Sequence, residues 1–383
     1  MKAALNSFLV ALLLAMLFLP VGYYCISENI PLKPLAGENV NSGPLKPQLQ
    51  DSTLLSGSYQ DSLSLYAEHF NPVRNLLTRV YSQLMYSVFH DCPGYVRAGD
   101  YPYLFTSGYL DAWTGTSCPG DSILEIRFKK VDSLNQWLNK RGKKLLVVLA
   151  PGKATFDSGH APDFYKRHTL PVNTYSIVKH LYEGSDIPFI DLQAYFLKIK
   201  DTCRYALYPK QGEHWSLYGA SLGYDSICRK MEHLLNKELI QVTYGGGYTS
   251  VKDDYKENDV YELLNLFSAA EPDTLFYPWF SDKAGTAGKY RPRVLLIGDS
   301  YVWPILKSYV TYNISPDSRY WWHLDTQWAL SGPYLEPVPI STLNIEEEIN
   351  RFDIVVFLFT EINYASFDEQ LYDRIILSER TKR

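Results

Sequence analysis

The arrangement of apolar runs is the feature of this sequence that most constrains its fold. Several short runs are apolar without interruption, which is typical of strands buried on both faces of a sheet. They lie at residues 143–151, 293–297 and 353–359, and a shorter strand is predicted at 187–192. Segments with apolar residues at helical spacing lie between them, among them 122–140, 174–183, 217–236 and 344–351. This alternation predicts an α/β fold, with a doubly wound, mostly parallel sheet and helices on both faces.

Polar residues follow three of the predicted strands directly. These segments are Pro151-Gly152-Lys153, Gly298-Asp299-Ser300 and Thr360-Glu361-Ile362-Asn363. In a doubly wound sheet, reactive groups collect at the carboxyl ends of the strands. The three segments are therefore expected to form one shared site at the same edge of the sheet.

The N-terminus carries the longest uncharged apolar stretch of the chain, residues 8–26. A helix of this length just crosses a bilayer, at about 1.5 Å per residue. A cleaved signal peptide is the alternative, but Tyr23-Tyr24-Cys25-Ile26 offers no small-x-small cleavage site. We expect an uncleaved membrane anchor over 1–27, a linker over 28–59 rich in Pro, Gly, Asn and Ser, and one domain over 60–383 outside the cytoplasm.

Composition excludes some functions. The net charge is -5 and no long Lys/Arg run occurs, so nucleic acid is not an expected partner. No C-x-x-C, H-x-H or H-E-x-x-H motif appears, so neither a metal site nor a cofactor is predicted. The pairs Cys92 with Cys118 and Cys203 with Cys228 either form disulfides outside the cytoplasm or remain free thiols.

A serine and a histidine stand out as candidates for catalysis. Ser300 lies in "IGDSYVW" (297–303), which is either ordinary turn chemistry or a nucleophile at a strand-to-helix turn. A serine nucleophile needs a base, usually a histidine. His214, in "YPKQGEHWSLYGA" (208–220), opens a predicted helix whose N-cap is Ser216. Lys153 and Lys210 either bind an acidic sugar or cap helices.

Four segments resemble the SGNH-hydrolase-like proteins of the alginate O-acetylation (AlgX/AlgJ) type. They are "YPYLFTSGYLDAWTG" (101–115), "LLVVLAPGKATF" (145–156), "GEHWSLYGA" (212–220) and "VLLIGDSYVW" (294–303). The resemblance implies that Ser300 is the nucleophile, that His214 is its general base, and that the product is an O-acetyl ester on a polysaccharide. It also implies a membrane-bound O-acyltransferase partner that delivers acetyl groups. The implied location is the bacterial inner membrane, single-pass, with the domain in the periplasm or cell exterior.

The sequence departs from this family at the acid of the triad. The family's aspartate lies two residues before the histidine, and Gly212 occupies that position here. The acid is then Glu213 in a bent loop, a residue from another segment, or a backbone carbonyl in its place.

Other residues have expected supporting roles. The N–H of Ser300 and the small Gly298 are expected at the oxyanion site, and Asp299 is expected to stabilise the turn. Asn363 is either an oxyanion donor or a turn residue. Trp215 and Tyr103 are candidate walls of a sugar-binding groove.

The sequence therefore predicts a membrane-anchored acetyltransferase that works through an acetyl-serine intermediate. Two alternatives remain. An acetylesterase would use the same Ser-His pair with water as the acceptor, and a catalytically silent accessory protein would only bind glycan.

Overall fold

A computed structural model provides the structure. It describes residues 2–26, 33–37, 46–49, 51–70, 72–240, 243–271, 273–281, 288–330, 336–364 and 371–375. The chain divides into two compact units. The first combines Met1–Val96 with Tyr261–Ala270, and the second combines Arg97–Val260 with Glu271–Arg383. The domain predicted over 60–383 differs from this division, because residues 60–96 and Tyr261–Ala270 belong to the first unit. Most of the predicted linker lies outside the described residues.

The helices and strands are numbered in chain order. The helices are α1 (Lys2–Ile26), α2 (Asp51–Leu55), α3 (Ser58–Phe70), α4 (Pro72–Phe89), α5 (Ser107–Thr114), α6 (Asp121–Lys140), α7 (Lys153–Phe156), α8 (Asp163–Arg167), α9 (Thr174–Glu183), α10 (Leu192–Ile199), α11 (Leu217–Leu235), α12 (Asp259–Leu263), α13 (Val302–Leu306), α14 (Val310–Asn313) and α15 (Ile345–Asn350). The strands are β1 (Val96–Ala98), β2 (Leu104–Thr106), β3 (Lys144–Ala150), β4 (Phe189–Asp191), β5 (Thr243–Ser250), β6 (Leu275–Ser281), β7 (Val294–Gly298), β8 (Arg319–Trp322), β9 (Thr326–Ala329), β10 (Val338–Pro339) and β11 (Ile354–Thr360).

The first unit contains α1 to α4. Arg79 of α4 is buried there, and its guanidinium donates to the carbonyls of Lys33 (2.7 Å), Pro34 (3.2 Å) and Leu266 (3.4 Å). Helix α1 coincides with the predicted anchor. Among the residues whose placement is described, no helix is both long enough and apolar enough to cross a membrane, so the predicted transmembrane span is not supported.

The second unit is built on a seven-stranded sheet with the order β10-β9-β8-β7-β11-β3-β4. The five strands from β8 to β4 run parallel to their neighbours, whereas β9 and β10 are antiparallel. The prediction of a mostly parallel sheet therefore holds for its central part, and the complete sheet is mixed.

Helices cover both faces of this sheet, as predicted. Residues of odd and even number along each central strand alternate between two hydrophobic cores. One core includes Leu146, Val148, Leu296, Val356 and residues of α10, α11 and α13. The other includes Leu145, Val147, Leu295, Val355 and residues of α6, α9 and α15. Because both faces are buried, the strands are apolar without interruption, which is the pattern that predicted them.

Helix starts follow the predicted capping chemistry. The Ser216 hydroxyl accepts a hydrogen bond from the Gly219 N–H (3.1 Å) at the start of α11. The predicted helices over 122–140, 174–183 and 344–351 correspond to α6, α9 and α15. Three antiparallel pairs, β8 with β9, β9 with β10 and β5 with β6, were not predicted. Cys118, Cys203 and Cys228 are free thiols, so neither proposed disulfide forms.

Candidate active site

Two structural elements bring Ser300 and His214 together. Ser300 follows the carboxyl end of β7 by two residues and precedes α13, while His214 lies in the loop that leads into α11. His214 Nε2 lies 2.8 Å from Ser300 Oγ, which is hydrogen-bond distance. The structure therefore places the predicted nucleophile and the predicted base in the geometry that serine activation requires.

A carboxylate completes the chain of hydrogen bonds, and it belongs to Asp259. Asp259 Oδ2 lies 2.5 Å from His214 Nδ1. Its other oxygen, Oδ1, accepts hydrogen bonds from the N–H groups of Glu213 (2.8 Å) and Val260 (3.0 Å). Ser300, His214 and Asp259 thus have the arrangement of a Ser-His-Asp triad.

Glu213 does not contact the imidazole, so its assignment as the triad acid is wrong. Its carboxylate accepts hydrogen bonds from the N–H (3.1 Å) and hydroxyl (2.8 Å) of Thr106. Its main chain does face the site: the N–H donates to Asp259, and the carbonyl accepts from the Tyr301 hydroxyl at 2.6 Å. Burial raises the pKa of the Glu213 carboxyl to about 7.

Packing around Gly212 explains why the acid comes from another segment. A Cβ atom at this position would lie 1.7 Å from the carbonyl oxygen of Glu257 and 2.7 Å from Pro209 Cγ. No side chain fits in that space, because the backbone that leads to Asp259 occupies it. The position at which the resembling family carries its aspartate is therefore closed here, and the segment that closes it supplies the carboxylate.

His214 and Asp259 stabilise each other's charged forms. Burial acts to lower the pKa of His214, but the neighbouring Asp259 carboxylate outweighs it and raises that pKa above 6.5. Burial likewise acts to raise the pKa of Asp259, and the attraction and hydrogen bond of His214 hold it below its usual value. Asp259 is consequently ionised at neutral pH and favours the imidazolium that forms when serine gives up its proton.

Asp299 stabilises the turn that carries Ser300, as predicted from its position. It is buried, and its Oδ2 accepts from the Thr360 N–H (2.8 Å), the Thr360 hydroxyl (2.7 Å) and Asn363 Nδ2 (3.0 Å). Asn363 is therefore a partner of Asp299, which agrees with the turn interpretation, and this bond uses one of the two N–H donors of its amide, so the oxyanion role stays a prediction. Gly298 allows a close approach, because a Cβ there would lie 2.3 Å from the Leu358 carbonyl oxygen.

The two lysines have structural contacts. Lys153 is fully buried, and its ammonium donates to the carbonyls of Leu104 (2.8 Å), Lys210 (2.6 Å) and Gly212 (2.6 Å). The hypothesis that Lys153 binds substrate is therefore wrong, since no donor remains for a ligand. The Lys210 ammonium lies 3.7 Å from Asp273 Oδ1 and is part-exposed.

Of the two predicted wall residues, Trp215 is among the residues that line the pocket beside His214, and Tyr103 is not. Trp215 is fully buried, and its Nε1 donates to the Tyr301 carbonyl (3.0 Å). Tyr103 is half-buried and stacks on His160, with ring centroids 3.9 Å apart. The Trp215 ring packs against Phe196 and Tyr301.

A pocket of about 180 Å³ opens beside His214 and Asp259. Trp215 and Leu217 lie next to His214 in the chain, and the other walls come from two distant segments that the sequence did not reveal. These segments contribute Tyr255, Lys256, Glu257, Trp303 and Lys307. Aromatic faces in a pocket next to His214 suit a sugar ring. Among the residues that the structure describes, no cluster of His, Cys, Asp and Glu has the arrangement of a metal site.

Comparison with known proteins identifies the family. The model of the family described as "SGNH hydrolase-like domain, acetyltransferase AlgX" matches residues 96–308, more than half of the chain. The chain belongs to this family. The matched part contains Ser300, His214 and Asp259, and it confirms the resemblance drawn from the sequence.

The individual relatives have low sequence identity to this chain. The probable alginate O-acetylase AlgJ of Pseudomonas aeruginosa is 26% identical over 195 residues, which are 49% of this chain and 46% of that protein. The chain thus spans about half the length of this curated relative. The O-acetyltransferase domain of Pseudomonas putida AlgJ is 16% identical, with a TM-score of 0.46 over 74% of this chain and 99% of that one. Bacillus cereus PatB1 with a sulfonyl adduct is 14% identical, with a TM-score of 0.44 over 72% of this chain and 96% of that one.

Asp259 is the residue that sequence reasoning missed. It stands in "ENDVYELL" (257–264), a polar residue directly before an apolar helical segment. That pattern indicates the start of a helix and does not reveal a contact with a histidine 45 residues earlier. The available signal was the glycine at 212, whose lack of a side chain implied an acid from another segment.

Proposed function

We propose that this chain is an O-acetyltransferase that carries the acetyl group on Ser300 and transfers it to a hydroxyl of a polysaccharide. The observation that carries the proposal is the hydrogen-bond chain from Ser300 Oγ through His214 to Asp259. Membership of an acetyltransferase family supports the same reaction class.

In the first half-reaction, Ser300 Oγ attacks the carbonyl carbon of an acetyl donor while His214 Nε2 takes the serine proton. The tetrahedral intermediate expels the donor's leaving group, which receives that proton from His214, and acetyl-serine remains. Asp259 keeps the His214 Nδ1 proton in place and stabilises the imidazolium. Within the described part of the chain, the Ser300 N–H donates to no acceptor, so it is available to the oxyanion.

In the second half-reaction, a sugar hydroxyl gives its proton to His214 and attacks the acetyl-serine. Collapse of the second intermediate returns the proton to Ser300 Oγ and releases the O-acetyl sugar. The pocket beside His214 is the proposed acceptor site, because Trp303 and Tyr255 offer aromatic faces to a sugar ring. A ring held there places its hydroxyl near the base and excludes water.

The proposal includes a cellular setting. A membrane-bound O-acyltransferase supplies the acetyl groups, and the chain works in the cell envelope with its catalytic unit outside the cytoplasm. We base this setting on the resemblance of the sequence to the proteins of the AlgX/AlgJ type.

An acetylesterase is the second candidate, and one observation favours it. The His214 side chain is 29% exposed, so water can reach the base. The silent accessory protein is less well supported, because it rested on the absence of a triad acid and Asp259 provides one.

The test incubates the full chain with p-nitrophenyl acetate, beside Ser300→Ala and His214→Ala. We expect nitrophenol release and one acetyl group on Ser300 by peptide mass mapping in the wild type only. Oligosaccharides are then added as acceptors. Acetylated sugar supports the transferase, whereas faster release of acetate alone supports the esterase. Equal behaviour of three folded proteins would overturn both.

A further inference from the structure

A buried ammonium lies directly behind the triad. Lys153 begins α7, just after β3, and all three of its N–H donors are used by the carbonyls of Leu104, Lys210 and Gly212. Taking a charge out of water costs several kcal/mol unless its partners compensate for it. A buried methionine of similar length would avoid this cost but would leave the three carbonyls without this donor, so the ammonium serves to hold these three carbonyls in place.

The peptide group between Gly212 and Glu213 connects this lysine to the triad. Its carbonyl accepts a hydrogen bond from Lys153 Nζ at 2.6 Å, and its N–H donates to Asp259 Oδ1 at 2.8 Å. In a planar trans peptide, the C=O and N–H bonds point in opposite directions. Fixing the carbonyl on Lys153 therefore aims the N–H at Asp259.

We propose that Lys153 is a positioning residue of the triad, whose ammonium fixes the Gly212–Glu213 peptide so that its N–H holds Asp259 against His214. The inference rests on the proposed function for the role of the triad. The bond to a charged donor also polarises the peptide, which strengthens the second hydrogen bond in the series. Because Asp259 comes from a separate segment, its position depends on such contacts.

The charged groups around Lys153 are consistent with this role. Burial lowers the pKa of Lys153 to about 8, against the attraction of Glu213, Asp157, Asp259 and Asp273. Lys153 is therefore mostly protonated at neutral pH.

The test replaces the ammonium by an apolar chain of similar length, Lys153→Met. We expect kcat for acetyl transfer to fall by about tenfold to a hundredfold with KM little changed, because the acid is displaced from the imidazole. The His214 pKa, followed by NMR of labelled histidine, is expected to fall toward 6.5. Lys200→Met is the matched control: Lys200 also donates to a carbonyl, that of Phe156, but it does not contact the triad segments.

A double-mutant cycle separates positioning from general loss of stability. In an Asp259→Asn background, Lys153→Met is expected to have no further effect on kcat, since both changes act through the same acid. Full additivity of the two effects, or an unchanged His214 pKa in folded Lys153→Met, would overturn the proposal. The NMR result does not depend on acetyl transfer: a shifted His214 pKa in a chain without transferase activity refutes the proposed function and retains the positioning role.

Wild-type chain provides the measurement if Lys153→Met does not fold. With a pKa of about 8, the Lys153 ammonium loses a proton between about pH 7 and about pH 9, and one of the three carbonyls then loses its donor. We expect kcat to fall over this range while circular dichroism shows a folded chain. A constant kcat up to pH 10 would overturn the inference.

Discussion

Replacing Asp259 by asparagine tests the assignment of the triad acid most directly. The substitution keeps the shape of the side chain and changes only which groups donate and accept hydrogen bonds. Two N–H groups, those of Glu213 and Val260, point at the Oδ1 position. The asparagine carbonyl oxygen is therefore expected there, which leaves its NH₂ group facing His214 Nδ1.

That orientation fixes the wrong tautomer. An NH₂ donor requires Nδ1 to accept, so the imidazole proton moves to Nε2, which faces Ser300 Oγ. A protonated Nε2 cannot take the serine proton. The expected loss in kcat is about 10³- to 10⁴-fold, which corresponds to about 4–5.5 kcal/mol of transition-state stabilisation.

The assay is steady-state hydrolysis of p-nitrophenyl acetate near neutral pH, with folding checked by circular dichroism. Glu213→Gln is the comparison, because its carboxylate contacts Thr106 while its backbone N–H still holds Asp259. We expect Glu213→Gln to lose less than about tenfold. The reasoning is refuted if Asp259→Asn stays within tenfold of wild type, or if Glu213→Gln is equally damaging.

Three further predictions concern packing and pH. Gly212→Ala places a methyl group against the Glu257 carbonyl, so we expect the unfolding free energy to fall by about 1–3 kcal/mol and kcat to decrease. Urea titrations measure the loss of stability, and Gly159→Ala, whose methyl group meets open space, is the control. The kcat/KM of the wild type is expected to rise with pH through a midpoint above 6.5, because His214 must be neutral to act as a base, and Asp259→Asn should lower that midpoint in a pH–rate profile. Burial raises the pKa of Glu213 to about 7 and that of Glu361 to about 8, so the folded chain binds more protons than the unfolded one. The contribution of these two carboxyls to the unfolding free energy is then greatest below about pH 4.5 and is lost as the pH rises through about 7–8. For Glu213 alone the loss is about 3 kcal/mol, at about 1.4 kcal/mol per pKa unit. A flat pH dependence of thermal unfolding would contradict this.

The central sheet could be predicted because the burial of its strands on both faces determines their amino-acid pattern. Strands such as β3 and β11 are buried on both faces, and their sequences are therefore continuous apolar runs. The hairpin of β8 and β9 gives no such signal, because its strands mix tryptophans with charged and polar residues and are only partly buried. Both strands lie toward the β10 side of the sheet in a partly buried environment, and their apolar pattern is correspondingly weak.

The site was predictable only where local chain geometry determines it. Ser300 and His214 each sit at the junction of a strand or loop with a helix, and such junctions leave a trace in the sequence. Lys153 follows a strand in the same way, yet its three carbonyl partners come from other segments, so its burial could not be read from its neighbours. Asp259 likewise owes its role to a tertiary contact.

The relocation of the acid has a physical consequence for how the triad is held together. An acid two residues before the histidine would be positioned by the same loop that carries the histidine. Here the only covalent path from Asp259 to His214 runs through 45 residues, so hydrogen bonds must do the positioning. The Glu213 N–H performs this task, and it does so from the residue next to the histidine. The loop therefore still determines where the carboxylate sits, through a peptide group where the family uses a side chain. Position 212 is a glycine because the Glu257 carbonyl leaves no room there for a Cβ atom.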